Sequence, residues 1–368
     1  MSENQEVRKD AEYIREFMIK VFEGLGVPQE DAAICADVLI AADLRGIDSH
    51  GVNRLKPIYY DRIRAGIQFP NAKIDIVREG PTTAVLDANN GMGMVASHRA
   101  MSMAIEKAKK LGLGMTVVRN STHYGIAGYY PLMAAEQGCI GLTGTNARPS
   151  IAPTFGVENM LGTNPQTWAI PTDEDFPFFL DCATSVSQRG KIEVYARQGK
   201  KMPEGWVVRR DGSTATDPVE VLQDLVNGTA ALAPLGGIGE DGAGYKGYGY
   251  AAVTEILSAA LQGGAFLKAL SGFNGAGEKQ PYRLGHFFLA VNIEAFTDLD
   301  SFKKTTGEIL RALRNSAKAP GCDRIYTAGE KEWDAYTERS KKGILITESV
   351  AIEFRTMAQE LGIEGFDW

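Results

Sequence analysis

Apolar side chains recur at helical spacing early in the chain: Val7, Tyr13, Ile14, Phe17, Met18, Val21 and Phe22 predict a helix over 6–24, stopped by Gly24 and Gly26. A second helix follows Pro28 and runs to about Leu44, and a third spans 52–65 with Gly66 as its end signal. The first 70 residues therefore read as all-helical. After Pro70 the period changes, with strands over 82–87, 115–118 and 139–144 alternating with helices over 94–111 and 124–137. Such alternation predicts crossover connections and a sheet with parallel pairs. Residues 145–181, rich in Gly, Pro, Asn and Thr with short extended runs, read as loops converging on a site. A helix over 184–200, an extended run at 205–209 and an irregular stretch at 211–244 follow. The pattern closes with a helix over 247–262, a strand over 285–293 and helices over 298–317, 329–341 and 347–361. Both termini share a helical character and are expected to pack together.

Composition narrows the class. In 368 residues, 44% hydrophobic and 23% charged side chains describe a globular chain of roughly two domains. With 39 basic against 46 acidic residues the net charge is −7, which excludes a nucleic-acid binder, since a polyanion needs a basic surface. Four histidines and four cysteines lie far apart without CxxC, HxH or HExxH spacing, so neither a metal site nor a disulfide scaffold is expected. The polar start, MSENQEVRKD, lacks an apolar signal segment, and no apolar run approaches the roughly 18 residues of a membrane span. These features read as a cytoplasmic, enzyme-sized protein without membrane partners. The 41 glycines, against a usual share of about 7%, ask for an explanation.

Several motifs carry candidate chemistry. NGMGMVA at 90–96 matches G-x-G-x-x-A, and Arg119 at the end of the next strand would in a Rossmann unit favour NADP. Yet Asp87, Ala88, Asn89 and Asn90 stand between the strand's apolar run and the glycine, so an Asn-Gly turn before a helix is the better reading. The glycine cluster at 236–244 fails as a P-loop because Lys246 precedes Gly rather than Ser or Thr; a cofactor contact by Lys246 survives. Between 45 and 64 stand five basic residues, Arg45, Arg54, Lys56, Arg62 and Arg64, against Asp48 and Asp61. That local reversal suits a small carboxylate. There His50, beside Ser49, reads either as a proton donor with Arg54 as carboxylate clamp, or as part of a helix cap formed by Asp48 or Ser49. Asn120 to Gly128, at a strand-to-helix handover, reads either as a ligand site or as capping around His123. The turns at Thr145–Pro149 and Gly162–Pro165 converge on the same crevice. A serine hydrolase is disfavoured, because Ser49 and His50 are neighbours and no G-x-S-x-G elbow exists.

Taken in order, RGIDSHGVNRL, VRNSTHYGIAGYY, GTNP, DCATSVSQRGKI, YKGYGYA, LGHFFLAVNIEAF and RIYTAGEKEW resemble the type 2 malate/L-lactate dehydrogenase family from about residue 8 to 362. That family also includes ureidoglycolate and sulfolactate dehydrogenases. The resemblance implies an NAD- or NADP-dependent oxidoreductase with an α/β, non-Rossmann fold, which demotes the glycine motif at 91–96. It implies a central mixed sheet in a cofactor-binding domain at 73–296, a helical domain built from both ends, 1–72 and 297–368, and a homodimer.

Residue by residue, the resemblance makes His50 the proton donor, Ser49 its relay partner and Arg54 the holder of the substrate carboxylate. His123, Tyr124, Gly125, Ile126 and Ala127 fall on a cofactor-binding block, with His123 an acid/base in some members. Asn146, Asp181, Cys182, Ala183, Tyr245, Lys246, Gly329 and Glu330 match further cofactor contacts, and Thr163 a substrate threonine. Where some members carry an Asp behind the Ser–His pair, this chain has Lys191, so the relay is shorter or borrows Asp48. The implied reaction passes hydride between nicotinamide C4 and C2 of a 2-hydroxy or 2-oxo acid. RIYTAGEKEW is most similar to the family's malate dehydrogenases, so malate leads, with Arg148 offered to a second carboxylate. Lactate, sulfolactate and ureidoglycolate remain as substrates, and a non-catalytic NAD(P)-binding protein is the alternative from another class.

Overall fold

Why the chain ends meet is visible in their first residues. The structure, a computed structural model, describes residues 7–368, so the predicted helix start at residue 6 lies outside it. Val7–Lys9 form a strand, β1, that pairs antiparallel with β11, Ile344–Ile346. Helix α1 begins only at Ala11 and runs to Gly24, because the Asp10 side chain accepts from the N–H groups of Glu12 and Tyr13. Val7 is therefore a strand residue, and the opening segment is not all-helical. The predicted stripe Ile14, Phe17, Met18, Val21 and Phe22 is buried against α2, Gln29–Leu44, and α11, Glu348–Leu361. Phe17 meets Phe354 at 4.9 Å and Trp368 at 4.8 Å between ring centroids. Each such side chain contributes on the order of 1.5–3 kcal/mol by leaving water, so both chain ends share one core.

The sheet has seven strands in the order β2, β3, β4, β10, β5, β6, β7. They are Asp75–Glu79, Thr83–Asp87, Leu113–Ser121, Leu284–Asn292, Cys139–Thr145, Gln166–Ile170 and Phe178–Cys182. Only β3 and β4 run parallel, joined by the crossover helix α4, Gly93–Leu111; every other pair is antiparallel. The alternation thus predicts one parallel pair correctly and misses that β10 inserts between β4 and β5. Helix α5 is shorter than expected, Tyr129–Glu136, leaving 122–128 as a loop. Strand β2 escapes the sequence pattern because it is a mostly exposed, charged edge.

A smaller core gathers Ile151, Leu161, Ile192, Val207, Val221 and Leu232 around α6, Arg189–Arg197, the antiparallel pair β8, Val207–Arg209, and β9, Ala230–Leu232, and the helix between them, α7, Pro218–Asn227. The stretch read as irregular holds α7, which starts where Asp217 caps Val219 and Glu220 ahead of Pro218. Helices α8, Gly244–Ala259, α9, Leu299–Arg314, and α10, Glu330–Lys342, complete the chain. No described helix is long and apolar enough to cross a membrane.

Candidate active site

Because β10 runs against both β4 and β5, its start and their ends lie on one edge of the sheet. His286 fixes that edge. Fully buried, its Nδ1 lies 2.7 Å from Thr145 Oγ1 at the end of β5 and its Nε2 2.8 Å from Ser121 Oγ at the end of β4. Burial pushes this imidazole down to about 3, so it acts as a neutral bridge.

The loop after β4 carries His123, and the glycine motif at 91–96 explains its placement. A Cβ on Gly93 would lie 2.3 Å from the Thr122 carbonyl oxygen, so only glycine lets α4 start against this loop. Thr122 Oγ1 accepts from Gly93 N–H and donates to the Gly91 carbonyl. Asn89 and Asn90 take positive φ and the Gly91 N–H closes on the Ala88 carbonyl at 2.8 Å, so the turn is centred on Asn89–Asn90 rather than on the expected Asn-Gly pair, and Arg119 is bound to Asp87 at 2.8 Å rather than free for a phosphate. His123 Nδ1 accepts from the Gly125 N–H at 3.2 Å, which obliges the Tyr59 hydroxyl, 2.7 Å away, to donate to it as well. The proton of neutral His123 is thereby fixed on Nε2.

The facing wall, 48–64, does not hold the single helix expected over 52–65. It breaks into 3-10 turns at Asp48–His50 and Val52–Arg54, a π-helical turn at Leu55–Tyr60 and a short α3, Asp61–Arg64. Pro57 has no N–H to give to an α-helical bond, and the widened turn drives Tyr59 inward. Gly51 is where α2 grips this wall. A Cβ there would lie 2.1 Å from the Asp43 carboxyl, which accepts from Val52 N–H at 2.8 Å. Burial raises the Asp43 carboxyl well above the usual carboxylate range, despite that hydrogen bond.

His50 Nδ1 lies 2.9 Å from Ser49 Oγ, and its ring stacks toward His123 with centroids 6.0 Å apart. Burial, then the Arg54 charge, pushes His50 down to about 4. Burial pushes His123 well below its ordinary value, helped by His50, Arg62 and Arg54. Both imidazoles are therefore neutral at pH 7. Asp48 does not back His50: its carboxylate pairs with Arg339, which also donates to the Asp43 carbonyl. Nor does Lys191, whose ammonium sits 4.9 Å over the Trp206 ring. The borrowed third relay member is thus overturned, because Arg339 already holds that carboxylate.

These groups open on a cavity of about 260 Å³. Its wall takes in Ser49, His50, His123, Tyr124, Gly125, Ile126, Ala127, Asn146, Thr163, Asp181 and Ala183 from the sequence-derived set. Asp181 is held by Gly128 N–H at 2.9 Å and Thr167 Oγ1 at 3.0 Å, and its burial raises the carboxyl. Asn146 accepts from Gly285 N–H and donates to the Ala265 carbonyl. Arg54, Arg148, Cys182, Tyr245, Lys246, Gly329 and Glu330 lie off this wall. Arg54 donates to the Ser49 carbonyl, Arg148 is exposed, and Tyr245 and Lys246 occupy the exposed first turn of α8. The Glu330 carboxylate is taken by Arg324, Arg314 and Thr327, so that side chain is structural. Gly329 lines a second cavity of about 380 Å³, with Phe176, Trp333 and Tyr336, and Glu332 lines both.

Sequence reasoning missed Tyr59 and Glu332, and nothing local to either marks them. Thr145 and Pro165, also on the wall, lay inside turns already singled out. Among the described residues no cluster has the ligand set of a metal site.

Comparison with known proteins gives the class. A family profile described as malate/L-lactate dehydrogenase matches residues 10–354. The malate dehydrogenase of Pyrococcus abyssi is 47% identical over 98% of this chain and 97% of its own length. The L-sulfolactate dehydrogenase of Methanocaldococcus jannaschii is 38% identical over 96% and 97%. The crystal structure of malate dehydrogenase from Entamoeba histolytica superposes with a TM-score of 0.92 at 46% identity, covering 98% of this chain and 99% of that one. The fold is that of the hydroxyacid dehydrogenases, an enzyme class that works with a nicotinamide cofactor. The chain belongs to the malate/L-lactate dehydrogenase family.

Proposed function

We propose that the enzyme interconverts malate and oxaloacetate with NAD or NADP, His50 exchanging the proton of the C2 oxygen. The observation that carries this reading is the facing pair of neutral imidazoles, His50 at Ser49 and His123 at Tyr59, on one cavity. Ser49 can donate or accept, so His50 can carry its proton on either nitrogen. With Nδ1–H given to Ser49, Nε2 is free to take the hydroxyl proton of the substrate. His123 presents its fixed Nε2–H to the same oxygen. Arg54 holds the C1 carboxylate, Thr163 lies on the substrate side, and Arg148 is available to a second acid group.

The residues present fit a nicotinamide nucleotide. Backbone 124–127 with Asn146, Asp181, Cys182 and Ala183 would hold the nicotinamide half. Glu332 leads to the second cavity, whose Phe176, Trp333 and Tyr336 suit a nucleobase, with Gly329–Glu330 on its border. Tyr245 and Lys246 stand ready for its phosphates. When bound, the nicotinamide accepts or supplies the hydride. A homodimer working in the cytoplasm completes the reading, supported by the outward face of α8, where Tyr248, Val253 and Ile256 are exposed. The division into a helical unit, 1–72 with 297–368, and a cofactor unit, 73–296, belongs to the same proposal.

The test mixes NADH or NADPH with oxaloacetate, pyruvate, sulfopyruvate and the oxidised ureidoglycolate analogue while following nicotinamide absorbance. Oxaloacetate should give the highest kcat/KM. Another acid ahead of it replaces malate as substrate, and no oxidation with any of them leaves a non-catalytic binder.

A further inference from the structure

The cavity is electrically lopsided. Its wall carries two acids, Asp181 and Glu332, the latter shared with the second cavity, and no arginine; the charges of Arg54 and Arg62 nevertheless act on wall residue His123. Three arginines adjoin the wall from separate elements. Arg54 is bonded to the carbonyl of Ser49, a wall residue, and Arg148 directly follows wall residue Ala147. Arg62, on α3, lies with its guanidinium carbon 4.3 Å from the centroid of the Tyr282 ring, two residues before wall residue Leu284. Arg62 is half-buried and, among the described residues, forms no ion pair; the neighbouring carboxylate, Asp61, is taken by Lys56 at 2.8 Å. Burial and the charges of Arg148 and Arg54 all act to lower its proton affinity.

A half-buried guanidinium without an anion is costly, and two more cations nearby raise that cost. The Tyr282 face offsets part of it and holds the planar group in one orientation. An acidic protein that keeps such a group beside its reactive cavity has a ligand for it. One arginine suffices for the C1 carboxylate of any 2-hydroxy acid, and the others stay unbalanced unless the substrate bears a second acid group.

We propose that Arg62 is a specificity-determining residue that, with Arg148, receives the second acidic group of a dianionic 2-hydroxy acid, a carboxylate or a sulfonate, while Arg54 takes the first. This rests on the dehydrogenase reading above. The Tyr282 ring holds the fork in one orientation, which lowers the ordering cost of receiving an acid group.

The test compares wild type, Arg62→Gln and Arg62→Lys, each with saturating NADH or NADPH, on oxaloacetate and on pyruvate. In Arg62→Gln, kcat/KM for oxaloacetate should fall about 10- to 100-fold, the effect of losing a charged hydrogen-bonded partner, while that for pyruvate stays near wild type. Arg62→Lys should recover part of the loss, since charge returns without the fork. Equal losses for both acids, or none, overturn the assignment; should the Gln variant not fold, the same ratio in Arg62→Lys decides. Calorimetric titration of malate into cofactor-loaded protein separates this from the dehydrogenase reading. A wild type that binds malate but turns over neither acid defeats the reaction, whereas malate binding that survives in Arg62→Gln defeats the subsite.

Discussion

The two histidine walls of the cavity are built on opposite principles. His123 is half-buried on the cavity wall, with two donors on one nitrogen, in a loop anchored by α4, β4 and the π-turn. His50 stands on a short 3-10 turn, touches an adaptable serine and is tied to the rest by Asp43, Gly51 and the Asp48–Arg339 pair. The first arrangement fixes a proton in place, and the second lets it change nitrogen. Under the proposed reaction the contrast would be a division of labour, in which the over-determined imidazole orients the substrate oxygen and the adaptable one exchanges its proton.

Three experiments break or sharpen that contrast. Replacing His50 by Ala should lower kcat by about 10²–10⁴-fold, the usual contribution of a general acid–base, with NADH binding measured by fluorescence unchanged. Turnover equal to wild type would end the assignment of the adaptable wall. Tyr59→Phe tests the fixed wall more gently, since Gly125 still donates to Nδ1. One lost hydrogen bond of about 0.5–1.5 kcal/mol predicts a drop in kcat of a few-fold, with KM for the acid little changed. A rise in KM alone would show that Tyr59 serves binding instead.

The smallest effect is on pH dependence. His50 is lowered from 6.5 to about 4, first by burial and then by Arg54, so the folded enzyme binds this proton less readily than the unfolded chain. Its stabilising contribution is complete above pH 6.5 and is lost as pH falls toward 4. Thermal melts across that window should show Tm declining less steeply in His50→Gln. An identical slope in both proteins would place the acid sensitivity elsewhere.

Much of this was legible in the chain. The stripe from Ile14 to Phe22 and the strands expected over 82–87 and 139–144, found at 83–87 and 139–145, are local signals, and the blocks around His50 and His123 meet on one cavity although their helices are broken or shortened. What escaped is non-local. Tyr59 reads as one more apolar position of a helix until Pro57 widens the turn, and its partner His123 lies 64 residues away. Asp48 looks free to serve His50 because Arg339, 291 residues on, gives no sign of claiming it. Glu332 looks like a surface residue in a charged helix, and only the packing of α10 beside the sheet edge brings it to both cavities.

The position of β10 has a consequence for how the enzyme comes into being. The strand that joins β4 to β5, and whose His286 bridges Ser121 and Thr145, lies 165 and 141 residues downstream of those partners. On a ribosome, both walls of the cavity emerge long before the strand that seats them side by side, and two sheet edges wait unpaired meanwhile. Contacts of such separation slow folding and leave edges open to wrong partners. A nascent chain ending short of Leu284 thus carries both histidines without the strand that seats their walls side by side, so the pocket is assembled late in synthesis, first by the seventh strand and then by Glu332 and Arg339 further on.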